Sequence, residues 1–238
     1  MSAQRQRWPA LRAEPGIAVV VPVLNEERQF PSLLEHLARL GAAEIVVVDG
    51  GSSDRTPHLA GRARHVRVIS SERGRGQQIA AGVAVTTAPI VIVLHADTRL
   101  PTGALDLVRA ALADRRVVAG CFRIAFDDTG VGLALFAWLS RFESALTTFG
   151  DQAFFMRRDA LEAIGGVPLQ PLFEDVELRR RLRRAGKFLK LGACVETSAR
   201  RFKKAGAMRA MALMVGLHVA HRVGVSPITL ARWYDTGR

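Results

Sequence analysis

The stretch VIVLHADTRLP, residues 91–101, shows the pattern from which the fold can be worked out. Residues 91–94 are all apolar, as expected for a strand buried on both faces of a sheet. The run then ends in His95 and Asp97 before Pro101 breaks the segment. Ligands of open parallel sheets bind beyond the carboxyl ends of the strands. The stretch therefore predicts a buried strand whose polar end faces a binding site.

Similar apolar runs precede this stretch and alternate with helical patterns. The runs are IAVVVPV at 17–23, EIVVVD at 44–49 and VRVIS at 66–70. Helices are predicted at about 27–40, 74–88 and 102–114. Strands that alternate with helices indicate an α/β fold with a mainly parallel, Rossmann-like sheet and right-handed crossovers.

The second half of the sequence is less regular. It predicts a strand at 117–126, an apolar helix at 130–149, a strand at 152–158 and a basic helix that begins near residue 174. We find no linker between the halves. We therefore predict one domain over residues 16–200, a flexible N-terminal lead at 1–15 and a helical C-terminal extension at 201–238.

The net charge of +12 is compatible with several kinds of ligand. It suits nucleic acid, a membrane surface or a small anionic substrate, and a plain basic surface equally well. Two cysteines without CxxC spacing, Cys121 and Cys194, favour a reduced, cytoplasmic protein with both thiols in its core. The N-terminus lacks the apolar core of a signal peptide. No segment holds the roughly 20 uninterrupted apolar residues of a membrane-spanning helix.

Polar side chains follow each of the first four predicted strands. The carboxyl ends of parallel strands meet at one edge of a sheet, so we expect all four clusters along that edge. Turns are polar in any case, so four clusters in order are stronger evidence than one. The clusters are PVLNEE with Pro22, Asn25 and Glu26, DGGSSD with Asp49 and Asp54, SERGRGQQ with Arg73, Arg75 and Gln78, and HADT with His95, Ala96 and Asp97.

The second and third clusters have competing interpretations. Asp49 before two glycines is typical of a simple turn, or its carboxylate accepts hydrogen bonds from a base or ribose. Asp54 is expected to cap the next helix. GRGQQI is similar to a dinucleotide fingerprint, but Ile79 replaces the third glycine and the motif follows the third strand, which argues against a nicotinamide site. Arg75 is then either a surface charge or a partner of a diphosphate.

The residues after the fourth strand suit a divalent cation. Mg²⁺ or Mn²⁺ takes oxygen ligands and completes its shell with substrate phosphates, so Asp97 with a diphosphate is chemically sufficient. The alternative is that Asp97 caps the helix after Pro101. His95 is a metal ligand, a hydrogen-bond donor to phosphate or a packed loop residue, and we favour the second role.

Glu174 and Asp175 begin the predicted basic helix. Acidic residues suit a helix N-terminus for structural reasons alone. A loop rich in glycine and proline that presents Glu-Asp beside a site is also how a general base is positioned. His218 and His221 lie three residues apart in an apolar helix, where packing is the commoner role. The alternative for His221 is a late contact to the metal.

Four motifs together resemble those of family 2 glycosyltransferases, the inverting enzymes of the nucleotide-sugar-binding GT-A fold. The motifs are VVPVLNEE, VVVDGGSSDRT, VLHADTRLP and FEDVELRRRLRRAG, in the family's order over about residues 17–186. Two places depart from the family. His95 replaces the first aspartate of its Asp-x-Asp motif, and Ile79-Ala80 replaces its Arg-Asn pair, with Gln78 as a substitute. HADTRLP and GDQAFFMRRD look most like a small bacterial subgroup named for arsenosugar biosynthesis.

The resemblance implies an activity and a set of site residues. The activity is metal-dependent transfer, with inversion, of a sugar from a nucleoside-diphosphate sugar to an acceptor hydroxyl. Asp97 looks like the ligand of Mn²⁺ or Mg²⁺, and Asp175, with Glu174 beside it, looks like the base that deprotonates the acceptor. Asn25 and Glu26 are implied to line the nucleotide pocket. Asp49 is implied to contact the base, with Asp54 nearby. We assign five further residues to the same donor-binding site: Pro22, Arg75, Gln78, His95 and Ala96.

Other functional classes remain open. A nucleotidyltransferase also combines a Rossmann-like sheet with a metal, but it typically has a glycine-rich basic loop directly after the first strand, where this chain has VLNEE. A non-catalytic binder of RNA or of a membrane surface also matches the charge. RNA binding favours aromatics among basic residues, and with one Tyr and three Trp we expect no nucleic-acid partner. The segment at 203–222 either lies on a membrane as a basic amphipathic helix or packs on the domain or a second subunit of a homodimer.

Overall fold

The computed structural model describes residues 14–63, 66–128, 130–144, 147–199 and 207–236. Within these residues the chain forms one mixed β-sheet of eight strands. The strands are β1 (Ile17–Val23), β2 (Glu44–Asp49), β3 (Arg67–Ser70), β4 (Ile90–Val93), β5 (Thr98–Arg99), β6 (Val117–Phe126), β7 (Phe155–Arg157) and β8 (Lys187–Thr197). Their order across the sheet is β3-β2-β1-β4-β7-β6-β8-β5.

Helices connect the strands and cover the sheet. A short 3₁₀ turn (Gly150–Gln152) precedes β7. The α-helices of the described residues are α1 (Phe30–Arg39), α2 (Thr56–Ala60), α3 (Arg75–Ala84), α4 (Ala104–Ala113), α5 (Val131–Leu139), α6 (Arg158–Ala163), α7 (Glu174–Ala185), α8 (Ala207–Arg222) and α9 (Pro227–Thr236).

The first four strands run parallel, with β2 and β4 on either side of β1 and β3 beyond β2. Their carboxyl ends therefore lie side by side at one edge, which we call the carboxyl edge. β7 runs antiparallel to β4 and to β6, and β8 pairs parallel with β6 and antiparallel with β5. The prediction of a mainly parallel α/β sheet is confirmed.

Both faces of the sheet are buried around β1, β2 and β4, which explains the continuous apolar runs there. Neighbouring strand residues point to opposite faces, so Val21 of β1 packs in the core that includes α1, and Val20 packs in the core that includes Ile79 of α3. A Cβ on Gly82 would lie 2.4 Å from Cγ1 of Val20, so α3 runs very close to the sheet. This close packing fixes the N-terminus of α3, where Arg75 lies.

α1 begins later than predicted. The N–H groups of Gln29 and Phe30 both donate to the carbonyl of Glu26, so the chain makes a tight turn before the helix starts at Phe30. The segment from residue 27 to 29 is therefore part of the loop at the carboxyl edge.

The prediction of one helix over 130–149 is wrong beyond Leu139. Ser140 follows the end of α5, and its hydroxyl donates to the carbonyl of Ala137 and accepts from the N–H of Ile124 in β6. Further along, the carbonyl of Phe142 accepts a hydrogen bond from Lys190 rather than from a helical N–H. This loop therefore ties α5 to β6 and β8.

The sequence analysis missed β5 and β8. Residues of β8 range from buried to exposed because much of one face lies open, so no continuous apolar run marks the strand. Cys194 in this strand is exposed, which corrects the prediction of two core thiols; Cys121 is buried as predicted. Residues 1–13 of the predicted lead and 201–206 of the predicted extension lie outside the described residues. Among the described helices, none combines the length and the apolar character needed to cross a bilayer.

Candidate active site

Two loops at the carboxyl edge are joined by reciprocal hydrogen bonds. The N–H of Asn25 donates to Ser52 Oγ at 2.9 Å, and Asn25 Oδ1 accepts from the N–H of Ser53 at 2.8 Å. Further along, the N–H of Glu27 donates to Asp54 Oδ2, and the N–H of Arg55 donates to Glu27 Oε2. The first two predicted clusters are therefore held together as one rigid surface.

Glu26 and Asp54 take part in the same network. The N–H of buried Glu26 donates to Thr56 Oγ1 at 2.9 Å. Asp54 Oδ1 accepts from the N–H of Thr56, the first residue of α2. Partial burial works against ionisation of Asp54, but hydrogen bonds from Thr56 and Glu27 outweigh it and lower its pKa below the usual value. Asp54 is thus a charged group that holds the start of α2.

Asp49 organises the turn that follows β2. Its carboxylate accepts hydrogen bonds from the N–H groups of Gly51 and Ser52 and from the Ser52 hydroxyl. The turn interpretation of Asp49 describes this geometry, and contact with a nucleotide base stays a prediction. Pro22, one residue before the end of β1, is paired in register with Val48 and is half-buried.

Gln78 joins the ends of two strands. It is 4% exposed, and its Nε2 donates to the carbonyls of Val23 and Val48, both at 2.8 Å. Gly50 passes so close that an added Cβ would lie 2.8 Å from the Gln78 side chain. This geometry gives Gln78 a structural role in aligning β1 with β2. A direct contact between Gln78 and the donor stays a prediction.

The third site segment is the turn between β4 and β5. Ala96 is buried in it, whereas His95 and Asp97 are half-buried. The carbonyl of Asp97 accepts from the N–H of Ser198 at 3.1 Å, and the N–H of Leu100 donates to Nε2 of His36 at 3.0 Å. Before the turn, the N–H of Leu94 donates to the carbonyl of Val20 at 3.0 Å. The backbone is thus anchored on both sides of His95.

Asp97 is suited to binding a cation through oxygen. Within the described residues its carboxylate takes part in one side-chain hydrogen bond, a long one of 3.5 Å from the hydroxyl of Thr98. No group of three histidine, cysteine, aspartate or glutamate side chains in this part of the chain could hold a metal by itself. A single carboxylate fits Mg²⁺ or Mn²⁺ that takes its remaining ligands from a diphosphate and water.

An ion pair links α3 to α7 across the site. The guanidinium of Arg75 contacts the carboxylate of Glu174, and it lies 4.0 Å from that of Asp175. Burial raises the pKa of Glu174 above its usual value, and the charge of Arg75 opposes that rise. Desolvation lowers the pKa of Arg75, but the charges of the two carboxylates outweigh it and raise the pKa above its usual value, so the guanidinium stays charged.

Asp175 is held by the backbone of the 3₁₀ turn. Its Oδ2 accepts from the N–H of Gly150 at 2.6 Å, and its Oδ1 accepts from the N–H of Val176 at 2.9 Å. A Cβ placed on Gly150 would lie 3.2 Å from Asp175 Oδ2 and 3.4 Å from His95 Nε2. Asp175 and His95 therefore approach each other across Gly150, beside a small cleft that is otherwise lined mainly by apolar side chains.

Backbone strain is concentrated at this site. Within the described residues, the non-glycine residues with positive φ are Asn25 at 55°, Ala153 at 48° and Phe173 at 62°. Asn25 lies in the loop after β1, Ala153 follows the 3₁₀ turn, and Phe173 directly precedes Glu174. Such conformations cost of order 1–3 kcal/mol each and tend to occur at functional sites. All three flank segments that carry predicted or newly found site residues.

The C-terminal helices pack beside the predicted base. Phe173 contacts the rings of His218 and His221 of α8, with centroid distances of 4.3 and 5.2 Å. His218 is 4% exposed. The packing interpretation describes both histidines in this structure, and a metal contact by His221 stays a prediction.

The structure thus brings most of the predicted residues to one edge and adds others. Sequence reasoning missed Gly150 and Phe173, which carry no charge and no chemistry of their own. Their one signal is position, since Gly150 is the first residue of GDQAFFMRRD and Phe173 the first residue of FEDVELRRRLRRAG, two motifs quoted for the resemblance.

Comparison with known proteins identifies the family. Residues 18–165 match the family model for Glycosyl transferase family 2. The chain belongs to glycosyl transferase family 2. The resemblance seen in the four motifs is thereby confirmed at the level of the family.

Two curated relatives illustrate the similarity to family 2. An uncharacterized glycosyltransferase of Mycobacterium tuberculosis is 36% identical over 113 residues, which are 44% of this chain and 51% of that protein. The undecaprenyl-phosphate 4-deoxy-4-formamido-L-arabinose transferase of Pectobacterium carotovorum is 36% identical over 126 residues, 48% of this chain and 38% of that protein. The matched segments span about half or less of these relatives' own length.

Solved structures of glycosyltransferases share the fold. A mannosyltransferase of Pyrobaculum calidifontis, in complex with GDP-Man and Mn²⁺, superposes with a TM-score of 0.65 at 18% identity, covering 92% of this chain and 68% of that one. At this identity the likeness shows the fold alone. The predicted GT-A fold is confirmed.

Proposed function

We propose that this chain is an inverting, metal-dependent glycosyltransferase that moves a sugar from a nucleoside-diphosphate sugar to an acceptor hydroxyl. The observation that carries the proposal is the placement of two carboxylates. Asp175 lines the cleft, and its orientation is fixed by the N–H of Gly150. His95 lines the same cleft, and Asp97 follows it by two residues in the turn after β4. One carboxylate then serves the acceptor and the other the donor phosphates.

In the proposed reaction Asp175 removes the acceptor proton. The acceptor oxygen attacks the anomeric carbon on the face opposite the diphosphate, the bond to the diphosphate breaks, and the configuration inverts in one displacement. A general base must lie within hydrogen-bond reach of the proton that it takes. Because the Gly150 N–H occupies one lone-pair direction of Oδ2, the remaining lone pairs of Asp175 can face an acceptor.

The neighbouring residues hold Asp175 in place. The guanidinium of Arg75 lies 4.0 Å from Asp175 Oδ2, and it also pairs with Glu174. The strained residue Phe173 positions the first turn of α7, since its φ of 62° turns the chain directly into Glu174. We assign Glu174 the role of positioning residue rather than base because it is 2% exposed.

The loops around Asn25 and Asp49 are proposed to bind the nucleotide. Asp97 would hold a divalent cation, and a bound cation would offset the negative charge that grows on the departing diphosphate. We assign Pro22, Glu26, Asp54, His95 and Ala96 to the same donor surface, as the four sequence motifs imply.

Finer assignments belong to the same proposal. HADTRLP and GDQAFFMRRD support a place in the bacterial subgroup named for arsenosugar biosynthesis. We also propose a cytoplasmic site of action and a catalytic domain over residues 16–200, with residues 201–238 as its helical extension. The relative from Pectobacterium carotovorum has a name that refers to a polyprenyl phosphate, which makes lipid-linked substrates a further class to screen.

A thermal-shift screen tests the proposal. UDP and GDP are added with and without Mn²⁺, and we expect at least one nucleotide to raise the Tm with Mn²⁺ by more than either component alone. Asp97→Asn should remove the metal-dependent part of the shift, whereas Asp106→Asn, an exposed carboxylate on α4, should keep it. If no nucleoside diphosphate changes the Tm under any of these conditions, the proposed donor class is wrong.

A further inference from the structure

Large apolar side chains are exposed mainly on three helices and the turns that follow them. Of the large apolar residues that the structure shows as exposed, only Leu107 and Leu169 lie elsewhere. A soluble surface seldom leaves so many together, and such patches mark interaction sites. The residues concerned, which we call the docking face, are Leu135, Trp138 and Phe142 at α5, Val215, Val219 and Val223 at α8, and Ile228 and Trp233 at α9.

The exposed residues form regular stripes. Leu135 and Trp138 are three positions apart in α5, and Val215 and Val219 are four apart in α8, so each pair lies on one side of its helix. Phe142, in the turn after α5, contacts Trp138 with ring centroids 5.3 Å apart. The opposite side of α8 is already used, because Leu217 packs with Phe173 in a buried cluster. The outer stripe of α8 is therefore a second apolar side that the fold itself does not cover.

α5 and α8 are joined through the ring of Phe149. Phe149 stacks on Phe136 of α5 with ring centroids 5.8 Å apart and an interplanar angle of 17°. The same Phe149 makes an edge contact with His218 of α8 at 5.2 Å. One aromatic ring thus joins the two helices and keeps their exposed stripes in a fixed relation.

The segments that carry the docking face are predominantly basic, and the nearest acidic residues are Glu143, directly after Phe142, and Asp235 near the end of α9. Residues 131–142 contain Arg141 and no acidic residue, and residues 199–234 contain no acidic residue at all. More than half of the net charge of +12 therefore comes from the second segment. Its basic residues are Arg200, Arg201, Lys203, Lys204, Arg209, Arg222 and Arg232.

We propose that the docking face binds the surface of an anionic lipid bilayer. Exposed apolar side chains in segments rich in basic residues are typical of proteins that lie in the interfacial layer, where the apolar part enters the acyl boundary and anionic headgroups attract the cations. A second copy of the chain is the poorer occupant. In a two-fold dimer the face would meet itself, which brings like charges together.

The tryptophans support a bilayer. Trp138 and Trp233 are each 50% exposed, and tryptophan favours the level of the headgroups because its ring is apolar with one polar N–H. The guanidinium of Arg141 lies 5.8 Å from the ring centroid of Trp138. This pair places a cation beside the ring, as required for simultaneous contact with an anionic headgroup and the acyl boundary.

The docking face is continuous with the candidate active site. Phe173 contacts His218 and His221 of α8 and is followed directly by Glu174 and Asp175. Docking would therefore bring the acceptor side of the site close to the bilayer surface. This consequence concerns position only, and bilayer binding itself does not depend on the proposed reaction.

Vesicle co-sedimentation with the full chain tests the inference. Vesicles of equal parts phosphatidylglycerol and phosphatidylcholine should sediment the protein, vesicles of phosphatidylcholine alone should sediment much less, and added salt should weaken binding to the first. The triple variant Trp138→Gln, Val219→Gln, Trp233→Gln should reduce the partition coefficient about tenfold or more. Leu107→Gln, exposed on α4 away from the face, is the matched control and should bind as the unchanged chain does.

A second measurement avoids reliance on the triple variant. In a Trp8→Phe background the remaining tryptophans are Trp138 and Trp233, and brominated lipids in anionic vesicles should quench their fluorescence. Absence of both sedimentation and quenching with anionic vesicles overturns the inference. Equal binding to both vesicle types also overturns the inference. A third contrary result is an unchanged chain that stays in the supernatant with vesicles and forms a dimer, when the triple variant is a monomer. Each of these results is independent of donor binding and of sugar transfer.

Discussion

The carboxylate of Asp175 and the backbone N–H of Gly150 are joined by a hydrogen bond of 2.6 Å, although 25 positions separate them in the sequence. This bond fixes the proposed base against the 3₁₀ turn that precedes β7. It also leaves no room for a side chain at residue 150, because a Cβ there would contact both Asp175 and His95. The orientation of the base therefore depends on a glycine that does no chemistry itself.

Gly150→Ala should lower the rate of sugar transfer by about tenfold or more while leaving the fold intact. The new methyl group would lie 3.2 Å from Asp175 Oδ2, so the carboxylate must shift by a few tenths of an ångström, and small misplacements of reacting groups are costly. The measurement is kcat with the donor identified by the screen. Gly192→Ala, where an added Cβ meets nothing within 4 Å, should keep the unchanged rate. Equal rates for both variants would show that the Gly150 contact does not position the base.

Asp175→Asn should abolish transfer, with a loss of at least about a hundredfold, yet leave donor affinity unchanged. The amide keeps the size of the carboxylate and can still accept from Gly150, but it cannot take a proton. Calorimetry with the nucleoside diphosphate and Mn²⁺ provides the binding measurement. Glu174→Gln is the matched variant and should keep substantial activity, since Gln can still accept from Arg75. Full activity of Asp175→Asn would remove Asp175 from the mechanism.

Arg75→Ala should lower the free energy of unfolding by about 2 kcal/mol near neutral pH. The change leaves the carboxylate of Glu174, with a side chain 3% exposed, without its cation. Burial already raises the pKa of Glu174, and loss of Arg75 should raise it further. Protonation of Glu174 removes the buried charge, so the destabilisation should shrink as the pH falls from neutral toward acid.

Urea unfolding at several pH values measures this effect. Arg39→Ala is the control, because its pair with Glu35 is exposed on both sides and should contribute within about 0.5 kcal/mol. A double-mutant cycle with Glu174→Gln isolates the Arg75–Glu174 coupling. A coupling energy near zero, or a destabilisation that grows at low pH, would contradict the account of this pair.

His36 should make the fold sensitive to acid. Burial, then the charges of Arg99 and Arg39, lowers the pKa of His36 to about 4, and the neutral ring accepts from the N–H of Leu100. The unfolded chain takes up the proton near pH 6.5 and the folded chain near 4. This contribution to stability is therefore complete above 6.5 and is lost as the pH falls toward 4.

The pH dependence of urea unfolding provides the test. His36→Gln can still accept from Leu100 but does not titrate, so its unfolding free energy should fall less over this range than that of the unchanged chain. His58→Gln, at an exposed position on α2, should behave as the unchanged chain does. Identical pH profiles for His36→Gln and the unchanged chain would contradict this role of His36.

Three strands of the parallel half, β1, β2 and β4, could be predicted because they are buried on both faces over most of their length, whereas β3 lies at the edge of the sheet and is partly exposed. Burial on both faces requires an apolar residue at every position, and the runs at β1, β2 and β4 show it directly. β8 lacks the signal because much of one face is open, so it was missed. The helix predicted at 130–149 was too long because the hydroxyl of Ser140 bonds to Ala137 and to Ile124 of β6 where α5 ends, and Phe149 then returns to stack on Phe136.

The candidate site was predictable in its charged residues and not in their partners. Motifs that end strands indicated Asp49, His95 and Asp97, since topology alone brings strand ends to one edge. The Arg75–Glu174 pair joins residues 99 positions apart, and no local pattern specifies such a contact. The role of Gly150 could not be predicted either, because it depends on the absence of a side chain.

The most direct test of the whole account is a crystal structure of the chain soaked with Mn²⁺ and the nucleoside diphosphate that gives the largest thermal shift. We predict an anomalous peak for manganese about 2.1 Å from an Asp97 carboxylate oxygen, with the diphosphate on the same ion and the nucleoside between the loops of Asn25 and Asp49. A nucleotide bound elsewhere, or manganese bound away from Asp97, would contradict it.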